Sequence, residues 1–389
     1  MIPRLASSKL LELASMFKAV AVIGPRQSGK TTLVKDLFVD KPYINFENPD
    51  IRFLATEDPR GFLSKHLDGA IFDEVQRVPH IFAYLQEILD NSRERGKFIL
   101  TGSNNFLLQE NISQSLAGRV AYFQLLPFNL EELADLEEIS DENEIILRGF
   151  YPPIIDLQIP VTNWMPNYIR TYIERDVRQI KNVSDLQVFE KFMRLLASRT
   201  GQELNYSSLS IEVGVDIKTL QSWIGILASS FIIYLLRPHY KNFNKILVKR
   251  PKLYFYDTGI ACALLGINSI DHLENHPLRG SLFECFIVSE LIKQRTHRGK
   301  EVNLYYWRDK TGHEIDLVVE EVLKLFPIEI KAGKTVHSEF FKNLHYWMKL
   351  SGEKQAALIY AGDYEQNRSD GIQVKSWKSL LQQMNIPVE

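Results

Sequence analysis

The sequence predicts a multi-domain α/β protein, and three observations carry that expectation. A glycine-rich phosphate loop stands between a β-type run and a helical run in residues 20–32. Short apolar strand-like runs alternate with helical segments through residue 126. A second set of ionisable residues sits on apolar strand segments near the C-terminus, and 389 residues are too many for one ordinary core.

Composition narrows the class. Hydrophobic residues at 45 % and charged ones at 24 % match a soluble globular protein. A net charge of −2 excludes a protein-wide basic field, so any nucleic-acid surface has to be local. Two cysteines, Cys262 and Cys285, are too few for a disulfide framework and suit a reducing, cytoplasmic location. No signal peptide is visible. The longest apolar run, residues 224–236, is interrupted by Gly225, Ser229 and Ser230 and falls short of a membrane span, so no membrane partner is expected.

Taken in order, residues 3–17 place Leu5, Leu10, Leu13, Met16 and Phe17 at helical spacing. Gly24-Pro25-Arg26-Gln27-Ser28-Gly29-Lys30-Thr31 then fits G-x-x-x-x-G-K-[ST] without departure, and Thr32 opens the following helical run. In such a loop backbone amides close around a triphosphate, aided by the helix N-terminus. Lys30 would reach the β- and γ-phosphates of ATP and Thr31 would hold Mg²⁺. After a strand at 43–46, the apolar segment 69–72 ends in Asp73 and Glu74. Asp73 at the strand tip can hold the Mg²⁺ shell, and Glu74 can polarise the water that attacks the γ-phosphate.

The strand at 98–101 runs into Gly102-Ser103-Asn104, where Ser103 or Asn104 would sense the γ-phosphate. Leu116-Ala117-Gly118-Arg119 introduces a strand at 120–126. Arg119 is placed either as a finger on a neighbouring subunit's nucleotide, which implies a homo-oligomer, or as a surface arginine. Five strands alternating with helices call for a parallel sheet covered on both faces.

These motifs carry a resemblance. The phosphate loop, Ile71 to Gln76 (IFDEVQ), Leu100 to Asn104 (LTGSN), Leu116 to Arg119 (LAGR) and Tyr168 to Val177 (YIRTYIERDV) come in the order of the prokaryotic AAA+ family ATPases that carry a C-terminal domain of unknown function. The chain resembles that group over nearly its whole length. The resemblance implies an additional-strand P-loop ATPase core, a winged-helix region, and a terminal domain similar to PD-(D/E)XK nucleases.

Beyond Pro152-Pro153 the prolines Pro160 and Pro166 mark a linker. A helix at 164–180 carries Arg170, Glu174, Arg175, Asp176 and Arg178, either as a solvated face or with Arg175 reaching back as a second nucleotide sensor. Residues 185–252 read as a winged helix-turn-helix: helices at 186–197 and 206–212, a turn at Val213-Gly214-Val215, and a helix at 218–228 capped by Asp216. The wing, 237–252, holds Arg237, Lys241, Lys245, Lys249, Arg250 and Lys252 with Tyr240 and Phe243 interleaved, and no acidic residue. That pattern suits DNA backbone contact, whereas the helix offers only Lys218, Thr219 and Gln221 for bases. Winged helices serve equally as protein joints.

In the last segment, Glu284 lies on a helix that begins at Gly280. A strand at 303–307 precedes residues 312–319, which contain Asp316, and residues 327–331, which read Pro-Ile-Glu-Ile-Lys. Period-two alternation puts Glu329 and Lys331 on one strand face. With Asp316 and the Ile330 carbonyl they can hold Mg²⁺ while Lys331 positions a water, and Glu284 completes the set, as in PD-(D/E)XK nucleases. The competing arrangement is a Lys–carboxylate salt bridge in a degenerate nuclease fold. The expected domains are an AAA+ ATPase at 1–150, a lid or linker at 151–182, a winged helix at 183–252 and a nuclease-like domain at 253–389. The function expected is an ATP-hydrolysing, Mg²⁺-dependent protein acting on nucleic acid, with nuclease potential. The alternative is a nucleotide-gated switch whose winged helix and inactive nuclease-like domain only bind a protein or DNA partner.

Overall fold

The computed structural model describes residues 2–102, 116–136, 139–172, 185–240, 248–322 and 324–382. The chain forms two compact units: residues 1–128 with 229–231 and 295–300, and residues 129–228, 232–294 and 301–389.

The first unit is built on β1 (Ala19–Ile23), an Ala/Val/Ile run buried at every position. Such a continuous apolar run belongs to a strand covered on both faces. It is joined by β2 (Tyr43–Asn45), β3 (Ala70–Asp73), β4 (Phe98–Gly102) and β5 (Val120–Gln124) in the order β2-β3-β4-β1-β5. Every pairing is parallel. Thus β4 lies between the strand that leads into the phosphate loop and the strand that ends in Asp73. The helix α1 (Ala6–Met16) buries Ala6, Leu10 and Ala14, a four-residue spacing that forms one stripe. That stripe packs with Val20, Val22, Ile71, Ile99 and Phe123, and α2 (Lys30–Leu37) adds Leu33 and Val34. Aromatic rings make a separate cluster, in which Phe72 meets Phe46 at 5.6 Å and Phe98 at 5.5 Å between centroids. The helix α2 begins at Lys30, two residues before the expected start, with Gly29 in the left-handed conformation (φ 91°) at its N-cap position.

The second unit carries three successive helices, Leu186–Ala197, Tyr206–Val213 and Ile217–Ser229, followed by the antiparallel ladder of β6 (Ile233–Leu236) and β7 (Lys252–Phe255). Each expected start has its cap: Asp185 accepts from the N–H groups of Gln187 and Val188, Asn205 from Ser208, and Asp216 from Lys218 and Thr219. Trp223 on the third helix packs edge-on against Phe189 of the first. The middle of the expected wing, 241–247, lies outside the described residues.

A mixed six-stranded sheet completes this unit, with β8 (Leu304–Arg308), β9 (Glu314–Glu321), β10 (Lys324–Lys331), β11 (Ala356–Tyr360), β12 (Gln366–Asn367) and β13 (Ile372–Ser376) in the order β12-β13-β11-β10-β9-β8. One face packs under the helix Lys342–Ser351 through Trp307, Ile315, Leu344, Trp347 and Leu358. The helix that carries Glu284 runs from Arg279 to His297, longer than the sequence pattern marks. Among the described residues, no helix is long and apolar enough to cross a membrane.

Candidate nucleotide site and C-terminal carboxylate cluster

The phosphate loop leaves β1 at Ile23 and turns through Gly24 to Gly29 into α2. Two features show why glycine and a special backbone are needed there. A Cβ at Gly24 would stand 2.0 Å from the carbonyl oxygen of Leu125, at the exit of β5. Gln27 holds a left-handed φ of 60°, rare for a side chain of its kind and typical of functional loops. Lys30 is buried, and its ammonium donates to the carbonyls of Gly24 (3.0 Å) and Pro25 (2.7 Å), which fixes it across the loop. Ser28 is fully buried and its Oγ has no hydrogen-bond partner among the described residues. Arg26 is half-buried, while Thr32 faces solvent on the first turn of α2.

Asp73, at the tip of β3, is surrounded by hydroxyl donors. Thr31 Oγ1 donates to its Oδ2 at 2.9 Å, Tyr43 OH donates to the same oxygen at 2.6 Å, and Thr101 Oγ1 donates to Oδ1. Burial, then the Asp73 carboxylate, hold the Tyr43 phenol well above its ordinary pKa, so it stays a donor. Glu74 takes a left-handed backbone (φ 54°, ψ 41°), and its Oε2 accepts from Gln76 Nε2 at 2.6 Å. The loop, the lysine and the Thr31–Asp73 pair therefore converge at the carboxyl edge of the parallel sheet, where open α/β sheets bind ligands. The donor set fits a triphosphate with Mg²⁺: an ammonium, a glycine-lined cradle, and an oxygen pair of hydroxyl and carboxylate, hard ligands that suit that ion.

The expected γ-phosphate sensors Ser103 and Asn104, and the proposed second sensor Arg175, lie outside the described residues. Arg119 precedes Val120, which pairs with Ala19 at the start of β1, whereas Gln124 pairs with Ile23 beside the phosphate loop. Five residues of strand separate the two ends, roughly 16 Å, so Arg119 stands at the opposite edge of the sheet from its own loop. There it is gripped by Asp90 of the helix Ile81–Asn91, with Nε donating to Oδ1 and Nη2 to Oδ2 at 3.0 Å.

The C-terminal residues come together as well, with partners that the sequence did not single out. Glu329 and Lys331 share a face of β10, and Lys331 Nζ lies 2.7 Å from Glu329 Oε1 and 3.4 Å from Asp316 Oδ2. Asp316 also accepts from the Ile330 N–H at 2.8 Å. Glu284 is met by Lys252 Nζ at 3.1 Å and by the Tyr254 hydroxyl. Lys252 also pairs with Glu314, which Arg308 reaches at 3.2 Å. Lys252 corrects the wing reading: it is 3 % exposed on β7 and faces carboxylates, not solvent. Its sequence neighbours Lys249 and Arg250 are exposed.

Burial, reinforced by Asp316, raises the Glu329 carboxyl to about 8 despite Lys331. Burial also raises Glu284, with Lys252 opposing and Asp316 adding to the effect. Burial works against the charge of Lys331, but Asp316 and Glu329 outweigh it and hold its ammonium above the ordinary value. Glu284, Glu314, Asp316 and Glu329 thus gather around Lys252, Lys331 and Arg308, and among the described residues Glu329 Oε2 is buried without a hydrogen-bond partner. Among the described residues, no three His, Cys, Asp or Glu side chains converge so as to ligate a metal ion.

Comparisons with known proteins find family matches in three segments of the chain. An AAA domain family covers residues 16–134, a domain of unknown function (DUF8612) covers 139–271, and another (DUF4143) covers 279–380. Over 374 residues the chain is 30 % identical to the uncharacterized protein Rv2008c of Mycobacterium tuberculosis, spanning 94 % of this chain and 82 % of that protein. The chain belongs to the Rv2008c family. It is also similar to an uncharacterized protein of Haemophilus influenzae, at 20 % identity over 389 residues and 91 % of each chain. Among solved structures it is similar to the Walker-type ATPase PABY2304 of Pyrococcus abyssi, at 15 % identity, 67 % of this chain, 94 % of that chain and a TM-score of 0.43. This member of the Rv2008c family therefore has an AAA-type P-loop ATPase domain followed by a mixed-sheet C-terminal region.

Proposed function

We propose that the chain binds ATP with Mg²⁺ and hydrolyses it, and that it acts on nucleic acid as an oligomer. The single observation behind the ATPase reading is the Thr31–Asp73 hydrogen bond at the mouth of the loop, one residue before Glu74. Backbone N–H groups of residues 24 and 26–31 cradle the phosphates, and Lys30 meets the β- and γ-phosphates. Thr31 and Asp73 hold the ion, which neutralises phosphate charge when bound. Glu74, steadied by Gln76, takes the role of orienting and deprotonating the attacking water. Lys30→Ala should lose nucleotide binding, whereas Glu74→Gln should bind ATP and barely turn it over. Parental turnover by Glu74→Gln would show that the base lies elsewhere.

Arg119 suits a neighbour's nucleotide better than its own, since it lies at the far edge of its own sheet. Exposed Arg237, Lys249 and Arg250 support phosphate contact by the segment around the wing. The nuclease reading of the C-terminal cluster rests on the buried Glu329 Oε2 and on Lys331 standing beside both Glu329 and Asp316. As the described residues stand, no three such side chains are placed to hold an ion, so Asp316, Glu329 and Glu284 would have to draw together around Mg²⁺, with Lys331 keeping the attacking water in place. The rival, a docking domain in which Lys331 only neutralises its neighbours, draws support from the two ion pairs it already makes. A rise in melting temperature with Mn²⁺ supports the first reading, and no shift supports the second.

A further inference from the structure

Arg4 stands just before α1, far from the phosphate loop in sequence, and its guanidinium reaches the back of that loop. Nη1 donates to the carbonyl of Ser28 at 2.9 Å, and Nη2 donates to the carbonyl of Leu126 at 2.7 Å. Cζ lies 4.5 Å above the Phe128 ring. The residue is 8 % exposed, so these are buried, charge-assisted hydrogen bonds.

Ser28 is a residue of the loop itself, and its carbonyl shares a peptide unit with the N–H of Gly29, the cap of α2. All peptides among the described residues are trans. A carbonyl drawn backwards by Arg4 therefore sends the Gly29 N–H the opposite way, toward the side where a loop of this kind encloses phosphate. A cation on the carbonyl also polarises the unit and strengthens that N–H as a donor. The other arm holds Leu126, next to Leu125, whose carbonyl is the atom that Gly24 packs against. One planar fork thus ties the loop at Ser28 to the segment beside Leu125 that Gly24 approaches, a two-point contact that a lysine could not span.

We propose that Arg4 is a positioning residue for the nucleotide's phosphates, acting through the Ser28–Gly29 peptide. This rests on the ATP reading of the loop and adds a residue that the loop motif does not contain. A purely structural staple would affect stability alone, so the discriminating readout is nucleotide affinity. The experiment measures equilibrium binding of ADP and ATP, steady-state turnover and melting temperature for the full-length parent, Arg4→Gln and Arg4→Lys. Losing one charge-assisted hydrogen bond's effect on the cradle should weaken both nucleotides about tenfold in Arg4→Gln. The loss should appear in KM far more than in kcat, and Arg4→Lys should recover part of it. If Arg4→Gln does not fold, Arg4→Lys decides alone: weakened binding supports the inference and parental binding overturns it. Variants that melt earlier yet bind like the parent also overturn it. A parent that binds neither nucleotide overturns the ATP reading instead, and the inference falls with it.

Discussion

Glu329 offers a pH test of the C-terminal cluster that needs no knowledge of its substrate. The residue is 3 % exposed, and its Oε2 has no hydrogen-bond partner among the described residues. Burial and then Asp316 raise it from 4.5 to about 8. Across that window the native state keeps a proton that the unfolded chain has released. Unfolding therefore releases a proton, and stability falls as pH climbs from about 4.5 to about 8. Each pH unit is worth up to about 1.4 kcal/mol, so the full window amounts to at most roughly 5 kcal/mol. Glu329→Gln keeps the shape and an oxygen for Lys331 but cannot ionise. Its stability relative to the parent should be lowest near pH 4.5, rise by several kcal/mol by pH 8, and then level off. For a unit of this size that corresponds to roughly 10 °C in melting temperature. Glu284 and Asp316 remain in both proteins, so the difference reports Glu329 together with its electrostatic coupling to them. The assay is thermal melting followed by circular dichroism from pH 4.5 to 8.5 in EDTA. A difference that stays flat with pH would refute the account of a desolvated carboxylate. A second series with Mn²⁺ separates the two readings of the cluster: a rise in the parent's melting temperature that is largest at pH 8 and absent in Glu329→Gln supports metal binding, and no shift supports the docking domain.

Two further outcomes are expected. Mixing inactive Arg119→Ala with inactive Lys30→Ala should restore some ATP turnover if the arginine serves a neighbour; mixed oligomers that stay inactive, or an active monomer, sink that role. Replacing exposed Arg237, Lys249 and Arg250 by Gln should flatten the dependence of DNA affinity on salt by about one unit per lost phosphate contact, and an unchanged slope would assign that surface to protein docking.

The phosphate loop, Asp73 and Glu74 were legible in the sequence because each is a contiguous string whose chemistry depends on local backbone. The glycine spacing fixes where amides and a helix start can lie, and an apolar run ending in two acids marks a strand tip. The Glu329/Lys331 face was legible for the same reason, since strand alternation is a local rule. What surrounds these residues was decided by strand order. Inserting β4 between β1 and β3 brings Thr101 to Asp73, and pairing β2 beside β3 brings Tyr43 to the same carboxylate. Neither hydroxyl carries a mark in the sequence. Arg4 reaches Ser28 because α1 packs against β1, a contact that no spacing in the first 30 residues announces. Lys252 is the sharpest case. In the string it is the last of six basic residues, but in the fold it is the first residue of β7 and lies between Glu284 and Glu314. A lysine's letter is the same in water and in a carboxylate pocket. Burial and partners are properties of the packed chain, and they alone decide whether its charge meets a phosphate outside or balances an acid within.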